Sequence, residues 1–205
     1  MKNFIFVLLI VCITDAALRA QTFPSDIWHE GKLITIDEDT LRGRVKYDLD
    51  NDLIQIDYAG GIYTYGARKI LYFEIFDEYF EDYRYFYALP YETSGNYKVP
   101  ILFEVLYEGH LTLLCREYIS TETVPQFNPY GGRNIYSTFK LSYNYYFVSK
   151  EGRITQYYLK KKDLLTIMKK KSPEVKQFMK NNNLKYDKRG DLVRITAYYN
   201  SLLDA

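Results

Sequence analysis

The sequence predicts an α+β fold: an antiparallel, strongly twisted sheet, half-barrel or sandwich-like, with two or three C-terminal helices packed on it. Three observations carry this. From Gly31 to Leu159, short apolar or alternating segments follow one another between turn residues, the pattern of hairpin-linked strands. From Lys160 onward the apolar spacing lengthens from two residues to about 3.6, the period of a helix. Within the first stretch, one hairpin is apolar on both faces, so something must cover it, and the C-terminal helices are the natural cover.

Strands are expected at 32–36, 41–47, 53–58, 62–65, 69–76, 83–89, 101–107, 111–119, 139–149 and 154–159. Turns come from Asp37-Glu38-Asp39, Asp50-Asn51-Asp52, Gly60-Gly61, Glu108-Gly109 and Glu151-Gly152. Connections this short make neighbours antiparallel. The early strands alternate, with Ile54, Ile56 and Tyr58 on one side and Gln55 and Asp57 on the other. In the hairpin centred on Glu108-Gly109, pairing Tyr107 with His110 puts Leu102, Glu104, Leu106, Leu111, Leu113 and Cys115 on one face. Ile101, Phe103, Val105, Tyr107, Leu114 and Tyr118 then share the other. Residues 122–134 contain Pro125, Pro129, Gly131 and Gly132 and read as a long loop.

In the tail, Leu164, Leu165 and Met168 mark a short first helix. Ser172 is expected to cap a second, with Pro173 at its first position and Asn181-Asn182-Asn183 at its end. A third spans 192–203, with Asp191 as cap and Leu192, Ile195, Tyr199 and Leu202 on one face.

The first twenty residues have the layout of a signal peptide. Lys2 precedes an unbroken apolar run over 4–13, and Ala16, Ala17 and Ala20 follow. The run is too short to span a bilayer. The expected organisation is a signal peptide at 1–20 and one domain at 21–205, divided into a β body at 21–159 and a helical tail at 160–205. The expected location is periplasmic, outer-membrane-associated or secreted. Leu9, Ile10 and Val11 precede Cys12 where a lipoprotein signal needs small residues, so no lipid anchor is expected. Cys115 is then alone, and the core must supply stability without a disulfide. No transmembrane segment is expected in the mature chain.

Residues 21–159 hold thirteen basic and twenty acidic side chains; residues 160–205 hold twelve and five. The sum is near zero, which argues against nucleic acid as a partner. The asymmetry leaves two uses for the basic tail: docking on its own acidic body, or facing an anionic surface. Lys160, Lys161, Lys162, Lys169, Lys170 and Lys171 are the candidates for the second.

Catalytic and metal chemistry have few supporters. Cys115 and His110 are five residues apart on one strand and so point to opposite faces. Two histidines and one cysteine cannot build a structural zinc site, and Asp48, Asp50 and Asp52 lack the glycine and closing glutamate of a calcium loop; no cofactor or metal is expected. Glu74 and Glu104 sit mid-strand among apolar neighbours. A carboxylate there is paired or has a raised pKa, and two together could serve glycoside hydrolysis. The competing reading is an internal salt bridge to Arg68, Arg84 or Arg116, or simple exposure at a sheet edge. Arg189-Gly190-Asp191 matches an adhesion tripeptide but reads better as a turn and cap. Tyrosine is the strongest compositional bias, 23 of 205 residues; exposed rings could stack on sugars or proteins.

Trp28-His29-Glu30-Gly31, Thr40-Leu41-Arg42-Gly43, Phe103-Glu104 with 111–118, Asp191-Leu192-Val193 and Tyr198-Tyr199-Asn200-Ser201-Leu202 together resemble a group of uncharacterised exported bacterial proteins. The resemblance implies export and a β body with a helical tail; it brings no catalytic residues. The expected function is a non-enzymatic binding or structural module of the cell envelope, its partner a protein, glycan or lipid. The alternatives are a hydrolase using Glu74 and Glu104 and a lipid-associated protein held by its basic tail.

Overall fold

The computed structural model describes residues 22–95, 97–128 and 132–204; the expected signal peptide lies outside the described residues. Ten strands form one antiparallel sheet: β1 (His29–Thr35), β2 (Thr40–Asp48), β3 (Leu53–Tyr58), β4 (Gly61–Gly66), β5 (Ile70–Asp77), β6 (Asp82–Ser94), β7 (Tyr97–Tyr107), β8 (Leu111–Asn128), β9 (Gly132–Ser149) and β10 (Ile154–Tyr157). Their order is β10-β9-β8-β7-β6-β5-β1-β2-β3-β4. Three α-helices follow among the described residues: α1 (Lys161–Ile167), α2 (Ser172–Asn181) and α3 (Arg189–Asp204). Among the described residues no helix is long and apolar enough to cross a membrane.

The registers align one row of inward side chains across eight strands. It runs Leu41, Leu33, Phe73, Phe86, Glu104, Cys115, Tyr145, Tyr157. Period-two alternation makes this row the core face. The part around Leu33, Val45, Ile54, Phe73, Phe86 and Leu102 packs upon itself as the sheet curls. Gly31 and Gly43 face each other in the β1–β2 pairing. A Cβ at Gly31 would lie 2.2 Å from the Glu74 carbonyl oxygen, so this close approach needs glycine.

The curl brings the β2–β3 turn against β7 and β8, where these two strands part. Their pairing ends at Glu104–Cys115, which strands the backbone of Leu102. Asp52 accepts from the Leu102 N–H at 2.8 Å, and Arg116 donates to the Leu102 carbonyl at 2.7 Å, to Asp52 at 2.7 Å and to the Leu49 carbonyl. Both backbone groups of Leu102 are thereby satisfied.

The other half of the core face lies under the helices. Leu113, Phe147 and Tyr157 pack with Leu164, Met168, Val175, Leu192 and Ile195, all essentially excluded from solvent. Asn200 of α3 fixes the roof to the sheet: its Oδ1 accepts from the Leu111 N–H at 2.8 Å and its Nδ2 donates to the Leu111 carbonyl at 2.9 Å. Asn200→Ala should lower stability by about 2 kcal/mol, because both buried backbone groups lose their partner. Urea unfolding measures it, and a loss under about 0.5 kcal/mol, the range of ordinary surface changes, would refute the clamp.

The opposite face of the hairpin is closed by side chains of the sheet itself, from β6 to β9. Phe103 and Leu114 are buried beside Tyr146, with Tyr91 against Phe103 at 5.7 Å edge-on.

Four expectations need correction. Tyr107 pairs with Leu113, not His110, because a bulge between Val105 and Tyr107 shifts the register and turns Tyr107 to the helix side. The 122–134 loop is instead largely strand: β8 and β9 stay paired from Leu111–Ser149 to Asn128–Gly132. Thr121, Thr123, Val124, Ile135 and Thr138 favour a pleated backbone, and Pro125 is tolerated because β8 is an edge strand there. Ser172 is the first residue of α2, not its cap, since the 3-10 turn Lys169–Lys171 runs straight into the helix. Asp191 lies inside the first turn of α3 and accepts from the Lys185 N–H at 2.8 Å. Asn183 does end α2: it takes φ 52° while Leu184 N–H reaches the Met179 carbonyl, a Schellman closure.

Candidate functional site: a sealed charge cluster and exposed faces

Glu104 lies in the apolar row at the seam between the two halves of the core. Opposite it, Arg84 of β6 shares the inward face with Phe86. All five N–H donors of this guanidinium are used. Nε donates to Glu104 Oε1 at 2.9 Å; Nη1 to Tyr47 Oη at 2.9 Å and Asp77 Oδ2 at 2.8 Å; Nη2 to Glu104 Oε2 at 2.9 Å and Glu117 Oε2 at 2.8 Å. Tyr47 in turn donates to Glu117 Oε1 at 2.5 Å. From the helical layer, Arg189 donates to Glu104 Oε1 at 2.5 Å and Oε2 at 3.1 Å. Phe80 and Tyr143 flank its guanidinium, each ring centre 5.3 Å away. The Cys115 thiol donates to Glu104 Oε2 at 3.1 Å.

Glu104 is 2% exposed. Burial pushes its carboxyl up, but the Arg84 charge, its hydrogen bonds and then Arg189 outweigh burial and hold it at about 2. Burial pulls Arg84 down, and Glu104 reverses that, so the guanidinium stays charged. Burial, reinforced by Glu104, pushes the Cys115 thiol well above its ordinary value, which leaves it inert as a nucleophile. Both oxygens of Glu104 are fully occupied. The arrangement therefore locks β5, β6, β7, β8 and α3 together.

The salt bridge expected of Glu104 is made with Arg84. Arg116 serves the strand split and Arg68 is exposed. Glu74 does not join. It faces the outer side of the sheet, paired with Lys32 at 2.9 Å, because it sits one residue from the inward Phe73 and Ile75. The two glutamates thus occupy opposite faces. Glu117 and Asp77 belong to the cluster but were not singled out from the sequence; Glu117 shares the strand parity of Leu113 and Cys115, which was the available signal. Arg189 was masked by its tripeptide, which begins the helix and tucks its arginine inward. His110 bonds Asp204 at 2.5 Å and His29 contacts the Pro24 carbonyl at 2.7 Å, so neither approaches Cys115 for a dyad. Among the described residues, no group of three or more His, Cys, Asp or Glu gathers to hold a metal ion.

What faces solvent is different in kind. Beyond Arg116 and Asn144, β8 and β9 pair only with each other among the described residues. They form a projecting ribbon with two open edges. Its inward parity carries Ile119, Ile135, Phe139 and Leu141; Ile135 and Phe139 are 69% and 59% exposed. Its other parity carries a Ser120–Ser142 hydrogen bond and a Glu122–Lys140 ion pair together with the exposed Tyr118 and Val124. At its base, Leu141 and Tyr143 border an aromatic groove with Phe23, Pro24, Tyr79 and Phe80. A cleft of about 370 Å³ lies alongside, lined by Asp26, Lys46, Tyr47, Asp50, Glu117 and Ile119 among others.

The six lysines do not act as one patch. Lys160, Lys161, Lys162, Lys169 and Lys170 are exposed, and Lys171 is half-buried. Lys161, Lys162 and Lys169 line one open concavity, joined by Lys176 of α2. Lys170 turns the other way, toward His110 and Tyr199. Comparison with known proteins finds nothing similar: no family model, no curated protein and no solved structure matches this chain.

Proposed function

We propose that this chain is an exported, non-enzymatic binding module of the bacterial cell envelope, and that it engages a protein partner through the β8–β9 ribbon. The observation that supports this is the ribbon itself, a sided strand pair with open edges and an exposed apolar stripe. An isolated two-stranded ribbon is marginal in water, and exposed edges of this kind are ordinarily blunted. Adding a partner strand would satisfy the open backbone groups, while alternate side chains select the partner. Arg84 and Glu104 are meanwhile fully engaged with one another and with their neighbours inside the fold.

Envelope fractions test the reading. In high salt, which screens contacts between exposed charges, the exported chain should be retained by one fraction, and protease treatment of that fraction should abolish retention. Ile135→Asp with Phe139→Asp should weaken retention about tenfold or more, since a desolvated anchor is worth about 2 kcal/mol. Both side chains are mostly exposed, so the melting temperature should stay put. Absence of retention, or retention indifferent to the double substitution, overturns the proposal.

A further inference from the structure

The geometry points to a second contact, separate from the ribbon: the α1–α2 face is a seat for the phosphate headgroups of an anionic lipid surface. Lys161 and Lys162 from α1, Lys169 from the 3-10 turn and Lys176 from α2 converge on one shallow concavity with Leu165, Thr166 and Ser172. All four ammonium groups are exposed. None makes an ion pair with a described residue, although other lysines of the chain do: Lys32 with Glu74 and Lys140 with Glu122. The acidic residues of these helices, Asp163 and Glu174, do not line the concavity.

Charge complementarity decides the occupant. The body carries the excess of acid and the tail the excess of base, yet none of the four lysines is engaged in an ion pair with a described residue of the body, although Lys169 also borders the crevice between tail and body. Their charge is left for something outside the chain. A wide, open concavity suits a plane of headgroups better than one small enclosed anion. Lysine presents compact point charges on flexible stems, which suits headgroups in no fixed orientation. The half-buried Leu165 gives the centre an apolar floor toward the acyl boundary, and the Ser172 hydroxyl can donate to a phosphoryl oxygen. Each basic side chain at an anionic surface contributes about fivefold to binding.

Vesicle co-sedimentation of the exported chain is the test. Vesicles containing phosphatidylglycerol should bind it at low ionic strength, pure phosphatidylcholine vesicles should not, and roughly molar salt should release it. Combining Lys161→Glu, Lys162→Glu, Lys169→Glu and Lys176→Glu should weaken binding about a hundredfold or more. The charge-matched control Arg42→Glu, Arg68→Glu, Lys69→Glu, Lys98→Glu should bind as the parent does. Circular dichroism melts verify folding, and Lys→Gln at the same four positions replaces the reversal if it melts early. No vesicle binding, an equal loss in the control, or binding of inorganic pyrophosphate without vesicles overturns the inference. Ile135→Asp with Phe139→Asp should leave vesicle binding intact, so failure of one contact is distinguishable from failure of the other.

Discussion

Arg84→Met is expected to lower stability by about 3–5 kcal/mol, the cost of breaking a buried ion pair by removing one partner. Methionine keeps the stem and the volume but removes all five donors. Glu104, Glu117 and Asp77 are then left in a space where none is more than 4% exposed. Arg189 compensates only Glu104. For a chain of this size each kcal/mol is worth about 2–4 °C, so the melting temperature should fall by about 6–20 °C. Arg116→Met is the informative comparison. Asp52, its carboxylate partner, is 23% exposed and can return to water, so the loss there should be nearer 1–2 kcal/mol, that of hydrogen bonds alone. Urea unfolding at neutral pH ranks the two. Equal losses, or an Arg84→Met loss under about 1 kcal/mol, would show that the cluster does not hold the seam.

The pieces of the cluster were differently legible. All ten strands and three helices follow from period and turn residues, because alternation and 3.6-residue spacing are local signals. Faces were legible too: Leu113 and Cys115 lie inward as their parity required, and Leu113 is fully buried under α3. Register was not, because a bulge at Val105–Tyr107 leaves no mark in composition. The distal ribbon was hidden by the punctuation of Pro125, Pro129, Gly131 and Gly132, which outweighed the β-branched residues around them. Pairing of charges was the least legible. Glu104 and Arg84 stand 20 residues apart, Tyr47 and Glu117 70, and Arg189 and Glu104 85. Those distances close only once the sheet curls and the tail folds back. What could be read was that an inward carboxylate must have a partner; which arginine it takes is a tertiary fact.

Acid should dissolve the same seam in a defined window. Glu104 titrates at about 2 in the folded chain against 4.5 for the free side chain. Because the folded value is depressed, its contribution is complete above about pH 4.5 and is lost as pH falls toward 2, where the unfolded chain binds a proton that the folded chain refuses. The difference amounts to about 3 kcal/mol. Other carboxylates add to acid unfolding, so a subtraction is needed. Glu104→Gln mimics the protonated side chain at every pH and should be less stable than the parent by about 3 kcal/mol at neutrality. As pH drops from 4.5 to 2 the two stabilities should converge, and the parent's slope against pH should be steeper by one proton. Urea midpoints taken across that window, with slopes checked for two-state behaviour, measure both curves. Parallel curves would mean that the Arg84 and Arg189 charges do not hold Glu104 ionised, and the seam would then have to be held by its apolar neighbours alone.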